Sequence, residues 1–196
     1  MTKLKSKIES SNISLMEKYL KGKVYIFIDA ANILYSQQTL KWRIDYTKLI
    51  DFFQSQCDLG KIYYYTGKVG AKEKQLKFIE KLEKLGFYVI SKEVKFIKIS
   101  AKKFLPKANL DIELALDAFR YRSKYQTIIL LSGDSDFSYL IKLLQKDNKR
   151  VIVMSTRGHI SKELIEVSDK YFDLRKFKQE LEYNKNQELA EATPEV

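Results

Sequence analysis

Two short apolar runs, Val24–Ile28 and Ile128–Leu131, leave this chain few folds to choose from. Neither alternates apolar with polar residues, so each reads as a strand covered on both faces. Each also ends in acid. Asp29-Ala30-Ala31-Asn32 follows the first, and Ser132-Gly133-Asp134-Ser135-Asp136 follows the second. Strands buried on both faces belong to parallel sheets, and acids directly after them fall at the carboxyl edge, where open α/β sheets place their sites. Carboxylates gathered there repel one another unless a cation or a shared proton compensates. The pair of runs therefore predicts an acidic, metal-binding cleft.

The rest of the chain supports an α/β fold. Lys61–Thr66, Phe87–Ile90, Val151–Met154 and Tyr171–Leu174 read as further strands. Lys72–Leu85 has Leu76, Ile79, Leu82 and Leu85 near helical spacing, with Gly86 as a cap just beyond. Leu110–Tyr125, a stretch around Tyr139–Leu144, and Ser161–Ser168 read as helices. Strands alternating with helices imply right-handed crossovers and a mainly parallel sheet. Residues 1–22 are expected to form a basic leader with a helical turn around Leu15–Leu20. Residues 23–175 form the domain, and 176–196 a polar tail. The stretch 91–107 alternates enough to be a strand or a hairpin.

Charge narrows the partners. The 196 residues carry 36 Lys and Arg against 25 Asp and Glu, a net +11 that favours a polyanion, with nucleic acid first and an anionic membrane second. No apolar run approaches the roughly 18 residues of a membrane span, and no apolar stretch follows the charged N-terminus as a secretory signal requires. Cys57 is the only cysteine, which excludes an internal disulfide and a cysteine-based zinc site. A cytoplasmic protein is expected. Lys92–Lys107 carries six lysines, Lys102, Lys103 and Lys107 among them, interleaved with Phe96 and Phe104. That pattern suits contacts to phosphates and stacked bases, and equally an edge strand guarded by charge.

A third acidic group sits at Asp111 and Asp117. The two are about 120° apart round a helix, so they border one cleft only if the helix crosses its mouth. Each acid has a plainer reading. Asp111 suits a helix N-terminus, Asp117 a pairing with Arg120, and Asp134 a helix cap. Asp29 is harder to dismiss, because an acid ending a buried strand carries a desolvation cost. Together they suit Mg²⁺ or Mn²⁺, hard cations that take carboxylate and water oxygens. Other chemistries lack their parts. His159 is the only histidine, so neither a paired-histidine ribonuclease nor an esterase triad around Gly133-Asp134-Ser135 can be assembled. A phosphatase with a nucleophilic Asp29 would need a second acid at position 31, which is alanine.

At these residues the chain resembles the NYN-domain family of PIN-like ribonucleases, including its LabA-like bacterial branch. The matching pieces are IDAAN (28–32), KANLDIELALDAF (107–119), LLSGDSDFSYLI (130–141) and SKELIEVSDKYFDL (161–174). The resemblance implies a three-layer α/β/α PIN-like fold and metal-dependent endoribonuclease activity on RNA. It carries Asp29, Asp111, Asp134 and Asp136 onto the metal site, with Asp117 a further acid. Asn32 and Ser132 become supporting residues and Lys107 a substrate-side cation. Ala30 departs from the glycine usual in the family, and Ala108-Asn109-Leu110 from a Gly-Val step. The rival expectation is a PIN-like module that binds RNA without cutting it. Such proteins often pair, which leaves monomer and homodimer both open.

Overall fold

The first apolar run becomes β1 (Lys23–Asp29), a central strand of the sheet. In this computed structural model, which describes residues 12–70, 72–100 and 103–184, β1 lies between β2 (Asp58–Lys68) and β6 (Thr127–Leu131). Outside them come β3 (Tyr88–Glu93), β7 (Arg150–Ser155) and β8 (Lys170–Asp173). The order is β3-β2-β1-β6-β7-β8, and every pairing is parallel.

Alternation along β1 explains why both runs are wholly apolar. Val24, Ile26 and Ile28 face one core, while Tyr25 and Phe27 face the other. The first core is closed by a helical segment at 12–17 (α1), α2 (Ala30–Leu40), α3 (Tyr46–Gln56), Leu82 of α4 (Glu73–Lys84), and α8 (Lys178–Leu181). The second is closed by α5 (Asp111–Arg120), α6 (Ser138–Lys146) and α7 (Lys162–Val167). Helices on both faces of a parallel sheet make the three-layer α/β/α architecture. Tyr63, Tyr64 and Tyr65 alternate between the two cores and are all buried.

Several elements differ from expectation. The helix read over 110–125 ends at Arg120, because Tyr125 turns inward and its hydroxyl donates to the Ala118 carbonyl at 2.6 Å. The 91–107 stretch does contain the hairpin that is one of its two expected forms, β4 (Lys95–Ser100) and β5 (Lys103–Lys107), antiparallel and separate from the main sheet, but its first residues, 91–93, extend β3 instead. Within the 176–196 stretch expected to be a polar tail, Phe177 and Leu181 are fully buried, and the Asp45 N–H donates to the Leu181 carbonyl. Among the described residues no helix is long and apolar enough to cross a membrane.

Candidate functional site

The chain leaves β1 towards β2 on one side, while β6 leads to β7 on the other. The loops after these two adjacent strands run apart and open a crevice at their carboxyl ends. Asp29 closes β1 and caps α2: its Oδ1 accepts the N–H groups of Ala31 and Asn32 at 3.1 and 3.2 Å. Its Oδ2 accepts the Ser132 hydroxyl at 2.9 Å. The same Ser132 oxygen accepts the Asp134 N–H at 3.2 Å. One buried serine thus ties the turn after β1 to the turn after β6. Asp134 then accepts the Asp136 N–H at 3.0 Å, which turns the chain into a short 3₁₀ step before α6.

Asp111 comes from the other wall, as the first residue of α5, its N–H held by the Asn109 side-chain oxygen at 2.8 Å. Asp111, Asp134 and Asp136 each bring a carboxylate oxygen to within 4.8 Å of the other two. Asp111 and Asp134 border a cleft of about 300 Å³ whose lining also includes Asp29, Asn32, Tyr35 and Tyr65. The cost of crowding shows in the protonation equilibria. Burial, reinforced by facing Asp29, Asp134 and Asp136, pushes the Asp111 carboxyl up to about 6. Asp29 is also raised, by burial first and Asp134 last, against the three donors that hold its oxygens. A donor set of three converging carboxylates with no histidine or cysteine fits a hard divalent cation, whose charge would relieve the repulsion.

The residues singled out from sequence do not all meet. Asp111, Asp134 and Asp136 form the tight cluster, and Asp29 lines the same cleft beside them. Asn32 lines it too, and accepts from the Ser155 hydroxyl at 3.4 Å. Asp117 lies apart: it accepts the Tyr65 hydroxyl at 3.0 Å and borders a neighbouring groove with Ile90 and Phe119. Glu113, two residues beyond Asp111 on α5, pairs with Lys92 at 2.6 Å. Lys103 and Lys107 sit at the two ends of β5, in register with Ser100 and Lys95. Lys102 lies outside the described residues.

Some contributors carried little signal. Asn109, two residues before an acid at a helix start, is a recognisable local capping pattern. Tyr65 gave none, since its partner is 52 residues away. Gly133 is needed for close approach: a Cβ there would lie 1.7 Å from the His159 carbonyl oxygen.

Comparison with known proteins adds three findings. The family model described as "NYN domain" matches residues 23–175. The "Low amplitude and bright protein LabA" of Synechococcus elongatus is 32% identical over 179 residues, spanning 89% of this chain and 96% of that protein. The crystal structure of a protein of unknown function from Vibrio parahaemolyticus superposes with a TM-score of 0.66 at 26% identity, covering 79% of this chain and 93% of that one.

Proposed function

The chain belongs to the NYN domain family, and from that premise we propose that it is a Mg²⁺- or Mn²⁺-dependent ribonuclease acting on RNA in the cytoplasm. The observation that carries this reading is the convergence of Asp111, Asp134 and Asp136 at the switch point of the sheet. The family is in general one of ribonucleases, and the donor chemistry agrees.

In this reading Asp111, Asp134 and Asp136 hold the cation, with Asp29 adding charge at the strand end. Held by these carboxylates, a divalent ion would supply a more acidic water and neutralisation of charge on a phosphodiester. The chain's own part is to keep the oxygens aimed. Ser132 locks Asp29 to the Asp134 turn, and the Asn109 side chain fixes the first turn of α5. Asn32 offers a polar side chain to the substrate at the cleft wall. Lys102, Lys103 and Lys107 grip the RNA backbone. Asp117, held by Tyr65, keeps an outer position.

The test is cleavage of an end-labelled, unstructured RNA with Mn²⁺ or Mg²⁺. Internal cuts that vanish with chelator and with Asp134→Asn are expected. Undiminished cleavage by the variant would overturn the assignment, and tight binding without cleavage would make the protein an RNA-binding module instead.

A further inference from the structure

Not one of the eleven residues of α2 is charged, in a chain of which 31% are. Its inner face is ordinary: Ala30, Ile33 and Ser36 are buried. Its outer face is not. Ala31, Leu34, Tyr35 and Gln38, at the spacing that lines up along one side of a helix, are all exposed. Leu34 is 57% and Tyr35 61% exposed, and among the described residues Tyr35 has no hydrogen-bond or ring partner. A solvated helix normally covers such a face with charge, whereas this one has none there and sets Leu34 and Tyr35 at its centre.

The stripe is also continuous with the acidic cleft. Ala31 and Tyr35 line that cleft together with Asp29, Asp111 and Asp134. We propose that Tyr35 is a stacking platform for an unpaired nucleobase, placed so that a neighbouring phosphate lies over the carboxylates. An exposed phenol ring offers a flat π-face to any base without reading its edges. A base inside a duplex already stacks on its neighbours and has no face to give. Tyr35 therefore selects nucleotides with a free base next to the reacting bond, and the missing charge on α2 leaves the ring's surroundings open to that base. The inference rests on RNA entering the cleft, but its test does not depend on cutting.

The experiment uses the full chain and a short unstructured oligoribonucleotide carrying one 2-aminopurine, with chelator present so that only binding is read. Quenching of the analogue on binding is expected for the native protein. Tyr35→Ala abolishes the quench and weakens binding roughly tenfold, the scale of one base–aromatic stack. Tyr35→Phe, which keeps the ring, restores both. With Mn²⁺ present, the Tyr35→Ala loss falls on KM and leaves kcat in place, as expected for removal of uniform binding. Because the ring is exposed, the alanine variant should fold normally, which its melting curve checks.

A quench without any cleavage would leave the platform standing while ending the ribonuclease reading. Equal affinity and equal quench in Tyr35→Ala would overturn the platform whether or not RNA is cut. So would unchanged RNA binding accompanied by a shift in sedimentation of the free variant, since that would place a protein on the stripe.

Discussion

At Asp111 the folded protein binds a proton more tightly than the unfolded chain does, because burial and facing carboxylates raise the pKa from 3.8 to about 6. The sign follows. Stability from this group is whole below the unfolded value, declines as pH rises towards the folded one, and stays low beyond it. Asp111→Asn should therefore stabilise the metal-free fold near pH 7 by on the order of 1 kcal/mol, after allowance for solvent screening of a half-exposed group. The gain should vanish near pH 4, as urea unfolding with chelator at the two pH values would check; equal midpoints at neutral pH would refute it. The same proton competes with the cation, so Mn²⁺ affinity should fall as pH drops through about 6. Asp29 is raised in the same direction but also caps a helix. Asparagine can still cap α2, so Asp29→Asn should melt close to the native protein and yet fail to cleave, while Asp29→Ala should lose about 1 kcal/mol more. Asp29 was legible because an acid ending a buried strand has few plain explanations, whereas Asp111 and Asp134 each also suited a helix start. The Ser132 bridge was not legible, since it joins residues 103 apart.

Among the elements, the turn after β6 is clamped from the side by the 159–161 segment. The Ser161 N–H donates to the Gly133 carbonyl at 2.9 Å, and the His159 carbonyl presses against the Gly133 Cα. Gly133→Ala must push these segments apart, at a cost of about 1–3 kcal/mol. The turn also carries Asp134 and Asp136, so cation binding should weaken together with stability. Calorimetric Mn²⁺ titration and a denaturation curve would show both losses, and an unchanged pair would disprove the clamp. Strands were readable as apolar runs, but α3 was not. Trp42, Ile44 and Tyr46 alternate like a strand just before Tyr46, Leu49, Phe52 and Phe53 take up helical spacing, and the first pattern masks the second. Beyond residue 175, a polar composition hides Phe177 and Leu181, which are one turn apart and both buried. Leu181→Ala should cost about 2–5 kcal/mol, measurable as a lowered urea midpoint. No change would mean that this segment adds nothing to the core.

For the whole molecule, the net charge of +11 stands against a cleft walled by aspartates. For the RNA partner proposed above, long-range attraction holds the polyanion with or without a cation, while the carboxylates oppose only the closest approach of a single phosphate. RNA affinity should accordingly fall steeply with salt, by about 0.7 in logarithmic slope for each phosphate neutralised. A flat response in a filter-binding series would remove the lysines from the account. Sequence periodicity showed strands and helices in turn, but could not say that β1 and β6, a hundred residues apart, lie side by side. That adjacency has a temporal side. A ribosome delivers Asp29 early and Asp136 late, and the later strand must slot in beside the earlier one before their oxygens can meet. A nascent copy therefore carries no assembled cleft until its second half has been made and docked.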